Sequence, residues 1–204
     1  MRVFEKLATS MAGVVVTLLT LTACATTTET PDVKAPDTTG TSAGERPDSD
    51  SDSAASDAIG TRSNPAPAGS TAKIGNYTVS LGATNLDASA IVAAENQFND
   101  PPAEGRQFVL VRITATYNGE ETGSLLWDLD FKFVGSAGNT FGSGTDDDCG
   151  VIPDEVYEQG ELYPGATAEA NVCASVPSEQ VQGGTWVVEE SFTFEDNKVF
   201  FALN

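Results

Sequence analysis

The sequence predicts an all-β fold, an antiparallel β-sandwich of about seven to eight strands behind a disordered linker. Period-two alternation of apolar and polar residues recurs through residues 65–204, Gly and Asn punctuate the runs as turns, and almost nothing in that region has helical periodicity. The same region holds both tryptophans, all four tyrosines and nine of the ten phenylalanines, enough for one ordinary core.

In order, Ala72–Ile74 and Tyr77–Leu81 flank Gly75-Asn76 and read as a short hairpin. Residues 86–105 are acidic, contain Asn99-Asp100-Pro101-Pro102 and read as a long irregular loop. Loops carry function more often than strands, so this loop, with Phe98, is a candidate binding lip; an ordinary long connection is the other reading. Gln107–Tyr117 is the strongest strand, with Val109, Val111, Ile113 and Ala115 on one face and Phe108, Leu110, Arg112 and Thr114 on the other. Asn118-Gly119 closes it. Trp127, Leu129, Phe131 and Phe133 then alternate with Asp128, Asp130, Lys132 and Val134 as a half-buried strand. Gly138-Asn139 turns into a short strand at Thr140-Phe141. A strand at Ala166–Val176, a helical turn at Pro177–Val181, and strands at Thr185–Phe192 and Lys198–Leu203 complete the set. So many short strands argue for a sandwich of immunoglobulin-like type, in which Tyr117 is a candidate corner residue.

Ahead of the sandwich, residues 1–23 have the layout of an export signal: Arg2 and Lys6, then the apolar run Ala12–Leu21, then small residues. That run is too short for a comfortable membrane span, which needs roughly 20 apolar residues. Leu21-Thr22-Ala23-Cys24 resembles the bacterial lipobox. The resemblance implies that Cys24 receives a diacylglyceryl group on its sulfur and becomes the first mature residue, held at the extracytoplasmic face of the cell membrane. A secreted protein with a coincidental cysteine is the competing reading. Two or more acyl chains anchor stably where one, at about 0.8 kcal/mol per methylene, does so only marginally.

Residues 24–64 are rich in Ser, Thr, Asp and Pro, with Val33 and Ile59 as the only large aliphatics. Such a segment buries too little apolar surface to offset ordering entropy and is expected to be a disordered tether, reaching about 140 Å at full stretch. The Asp48–Asp52 run lacks the turn glycine and bidentate glutamate of a calcium loop and reads as solvated spacer. The composition is also compatible with O-glycosylation.

From Cys24 onward there are 8 basic and 29 acidic residues, a net charge of −21. A surface of this sign repels phosphates, so no nucleic-acid partner is expected; cations or basic partners, or simple solubility, fit it. The chain has no histidine, which removes His-dependent catalytic triads, His-ligated zinc and histidine pH switches. If Cys24 carries lipid, Cys149 and Cys173 remain as a pair in an oxidising setting and read as a disulfide; a metal site would need more thiolates or a histidine.

Asp146, Asp147 and Asp148, followed by Asp154, Glu155 and Glu158, are weak candidate calcium ligands, against the reading of a solvated acidic loop. The pairs Asp128 with Asp130 and Glu189 with Glu190 are candidate acid–base carboxylates. The first pair is expected on the outward face of a strand, with no apolar pocket to raise either pKa. Asn76-Tyr77-Thr78 matches a glycosylation sequon, set aside because the lipobox points to bacteria.

Lys73–Val79, Asn99–Val111 with Tyr117–Gly119, and Val199–Leu203 resemble an immunoglobulin-like domain of unknown function found on Gram-positive envelope lipoproteins. Cys149–Pro153 and Pro164–Cys173 are similar to its actinobacterial members. The likeness covers about residues 65–204; it implies a β-sandwich and brings no activity, catalytic set or cofactor with it. The expected function is therefore a non-enzymatic, lipid-anchored envelope module that binds a protein, peptide or glycan. A calcium-binding or cation-stabilised domain is the alternative, and a carboxylate-based hydrolase the weakest.

Overall fold

Alternation along residues 106–117 sends Val109, Val111, Ile113 and Ala115 to one face of a strand, and that face lies in the main core. Phe108 and Leu110, on the other face, are buried too, in a second and smaller core. The strand is thus covered on both faces. The computed structural model describes residues 32–36, 58–142, 148–193 and 197–203. The signal segment, Cys24, most of the expected tether with its Asp48–Asp52 run, Asp146 and Asp147 lie outside the described residues.

The strands are β1 (Val33–Lys34), β2 (Thr71–Ile74), β3 (Tyr77–Asn85), β4 (Arg106–Tyr117), β5 (Leu129–Val134), β6 (Thr140–Gly142), β7 (Thr167–Pro177), β8 (Thr185–Glu190) and β9 (Lys198–Ala202). The helices are short: α1 (Ser89–Glu95), α2 (Leu125–Asp128) and α3 (Ser178–Val181). The strands form two antiparallel sheets, ordered β1-β2-β3-β4-β7 and β6-β5-β8-β9. Lettering from β3 gives strands A, B and E facing C′, C, F and G, the arrangement of an immunoglobulin-like sandwich. The β1 and β2 strands extend its A edge.

Between the sheets, Trp186 of β8 stands edge-on to Phe133 of β5, with ring centroids 5.3 Å apart. Its Nε1 donates to Thr84 Oγ1 at 3.0 Å. Thr84 reaches the interior because β3 shifts register between Leu81 and Thr84, which reverses the face its later residues present. An orphaned indole N–H there would cost about 1–3 kcal/mol. The β2–β3 hairpin turns as expected at Gly75-Asn76, with Gly75 at φ +53°.

Three expectations need correction. The loop expected over residues 86–105 contains α1, whose Ala90, Ala93 and Ala94 favour a helix and whose Val92 is buried to hold it in place. Asp87 Oδ1 accepts from Ser89 N at 3.3 Å and Ser89 Oγ at 2.8 Å, while Ala88 and Val92 cover Phe108 and Leu110. The strand expected from Trp127 begins at Leu129, because Leu125 is buried and Asp128 turns back to accept from Ser124 N at 2.8 Å, closing α2. Finally, the expected tether is ordered at two places. Val33 and Lys34 pair with Ala72 and Thr71, and Val33 packs on the main core. Gly60 donates to Asn64 O and accepts from Phe200 N, both at 2.8 Å, so the domain begins near residue 58. No described helix is long and apolar enough to cross a membrane.

Candidate functional site

The second core builds a wall. Cys173 lies beside Leu110 on the outer face of the first sheet, and its disulfide to Cys149 draws residues 148–157 against β7, the open edge of that sheet. Asn171 completes the edge, donating its backbone N–H to Asp154 O at 2.8 Å and its side-chain amide to Pro153 O at 2.7 Å. From the segment after α1, Asn99 donates to Val92 O and Val151 O, each at 2.7 Å, and accepts from Val151 N at 3.0 Å. The expected Cys149–Cys173 pairing is thus present and pins one side of a groove.

Between this wall and the start of β5 opens a cleft of about 800 Å³. Leu129, Phe131, Val156, Val172 and the disulfide form its apolar interior. Phe98, Trp127, Tyr157 and Phe192 stand along it with relative exposures of 83, 64, 53 and 90%. Among the described residues five aromatic side chains are exposed, and these are four of them, so the exposure is concentrated at one place. Phe192 is held at φ +57°, a left-handed conformation that a bulky residue adopts at a cost of about 1–3 kcal/mol. Burial gives little in return, since its ring is open to solvent.

The charged groups of the lining are Asp130, Asp148 and Glu155. Asp148 Oδ1 accepts from Gly150 N at 2.9 Å. Burial pushes the Glu155 carboxyl above its usual range, and the nearby Glu158 and Asp148 charges push it further. Asp154 points away, bonded at 3.0 Å to Arg112, which also bonds Glu169 at 3.0 Å. Of the expected cation ligands, then, Asp148 lines the cleft and Asp154 is engaged elsewhere. Among the described residues no group of three or more metal-capable side chains comes together.

The carboxylate pairs separate. Asp128 is not on a strand face: at the end of α2 it accepts from Tyr77 Oη at 2.7 Å. Burial and then this bond hold the Tyr77 phenol well above its usual pKa. Asp130 and Glu189 are cross-strand neighbours that share Lys132, each 2.5 Å from its Nζ. Burial opposes the Lys132 charge, but the hydrogen bonds to Asp130 and Glu189 outweigh it and raise the lysine pKa. Glu190 accepts from Asn197 Nδ2 at 3.2 Å. Tyr117 packs on Tyr77 with centroids 5.1 Å apart, and its ring closes over Gly123, where a Cβ would lie 2.5 Å from it.

The loop expected as a binding lip does bring Phe98 to the cleft. Trp127, Tyr157 and Phe192 had no common signal, since they lie roughly thirty residues apart and only the fold gathers them. What marked each was a single large aromatic beside acidic or small polar residues.

Fold and site together define an immunoglobulin-like sandwich with an aromatic-lined cleft at one sheet edge. No family model and no curated protein matches the chain. Two solved structures are similar. A conserved hypothetical protein from Bacillus anthracis has 17% identity and a TM-score of 0.42, over 65% of this chain and 92% of that one. An uncharacterized β-sandwich protein from Clostridium difficile has 10% identity and a TM-score of 0.42, over 69% and 95%.

Proposed function

We propose that the chain is an envelope lipoprotein, held at the extracytoplasmic face through lipid on Cys24, whose sandwich is a non-enzymatic binding module. Its partner, a protein, peptide or glycan, occupies the cleft beside β7. The concentration of four exposed aromatic side chains around one groove carries this reading, because such rings are retained in water where they meet a ligand. The engagement of Asp128 by Tyr77, and of Asp130 and Glu189 by Lys132, supports a binding role over acid–base chemistry.

Phe192→Asn tests it. Asparagine tolerates the left-handed backbone, so the variant should melt at or above the wild-type temperature while losing affinity for the partner. Trp127 is the exposed tryptophan and Trp186 the buried one, so a blue shift of emission on adding fractionated envelope proteins, peptides or glycans reports occupancy. Emission that no fraction moves would sink the proposal.

A further inference from the structure

The geometry points to a cationic amphipathic polypeptide segment, with lysine or arginine set between apolar residues, as the occupant of the cleft. This rests on the reading of the cleft as a binding site and specifies its ligand.

Three properties converge. The interior is apolar, and its volume of about 800 Å³ accommodates a short segment with several side chains. The faces of Trp127, Tyr157, Phe98 and Phe192 attract cations as well as apolar groups, tryptophan most strongly. The fixed charge has one sign: Asp130, Asp148 and Glu155 line the cleft, and among the described residues no lysine or arginine does. Asp130 already shares Lys132 with Glu189, which leaves Asp148 and Glu155 as the pair a ligand would meet. Burial and the neighbouring Glu158 and Asp148 make the Glu155 charge costly, and an incoming ammonium or guanidinium relieves that cost.

The amide side chains of the lining are already engaged, which disfavours a sugar read through them. A glycan is read by free polar side chains beside its stacking ring. Here Asn99 spends both its oxygen and its amide on Val92 and Val151, Asn171 donates to Pro153 O, and Asn96 Oδ1 accepts from Phe98 N at 3.0 Å. An anionic membrane surface is opposed by the net charge of −20.

The test uses the chain from residue 24 onward carrying Cys24→Ser, which keeps every described residue and needs no detergent. Three ligands are titrated while Trp127 emission is followed, with calorimetry in parallel: a tryptophan-free peptide of alternating arginine and leucine, the same peptide with glutamate for arginine, and a neutral N-acetylglucosamine oligomer. The arginine peptide should give a saturable blue shift, weakened by salt. Asp148→Asn with Glu155→Gln should weaken it about tenfold, and Trp127→Ala should abolish the calorimetric signal. Equal binding of the glutamate peptide would overturn the inference, as would saturation by the sugar with silence toward arginine; both leave the binding-module reading standing. A dimer in sedimentation that Trp127→Ala dissolves would assign the cleft to a second copy and also overturn it. Silence toward all three ligands overturns it too, and the broader reading falls with it only if envelope fractions leave Trp127 unmoved.

Discussion

Tyr77 shows how one side chain ties the sheets together. Its ring is buried against Tyr117, and its hydroxyl donates to Asp128, whose other bond holds the first turn of α2. Tyr77→Phe should destabilise the fold by about 1.5–3 kcal/mol, the range for a hydrogen bond to a charged group, read as a lower urea midpoint at pH 7. The pH dependence follows from the raised phenol pKa. In the unfolded chain Tyr77 ionises near its ordinary value of 10.0, while in the folded state burial and the bond to Asp128 hold the proton to higher pH. The stability it contributes is therefore full below about pH 10 and declines as pH rises beyond it. The gap between wild type and the phenylalanine variant should narrow above pH 10, and a constant gap would show that the phenol proton is not held by the fold.

Strands were legible in the sequence because burial on a sheet imposes period two, clean along β9 and the second half of β4, while β7 and β8 are buried on both faces in the middle; the expected bounds of all four fall within two residues of the observed ones. What failed were elements set by tertiary contact. Seven residues of α1 carry too short a helical pattern to register between acidic and proline-rich flanks, and they fold because Val92 caps the second core. Period two misled at Trp127, where the alternation extends one step past the true strand start. Two-residue β1 has no pattern at all, only Val33. The disulfide was legible from cysteine arithmetic, yet its role was not: it fastens the wall of the cleft to β7 instead of bridging the two sheets as in antibody domains. Cys149→Ala with Cys173→Ala should lower stability by about 3 kcal/mol for a loop of this length. Amide exchange should quicken in residues 148–157 more than in β4, whose main-core face does not depend on the bridge. Uniform acceleration would mean that the bridge supports the whole sandwich and not one wall.

For the molecule as a whole, β1 changes the distance between the proposed anchor and the cleft. A tether free from Cys24 to Pro65 would reach about 140 Å. Pairing of Val33 with Ala72 fastens the chain to the sandwich only nine residues after Cys24, which limits that reach to about 30 Å. A lipid-anchored chain is thus leashed near the headgroups, and Gly60, bonded to Phe200 and Asn64, is a second point at which the segment ahead of the domain is fastened to it. Because β1 is two residues long and meets the core through one partly buried valine, it should be separable from the sandwich without disturbing the core. Val33→Asp places a charge against Val199 and Gly60 and should free β1 while β2 to β9 keep their melting transition within a few degrees. In lipidated protein reconstituted with dansyl-labelled lipid, tryptophan-to-dansyl energy transfer should be strong for the wild type and fall in the variant as the domain moves outward. Equal transfer in the two proteins, with lipidation verified by mass spectrometry, would show that β1 does not set the height of the cleft above the membrane.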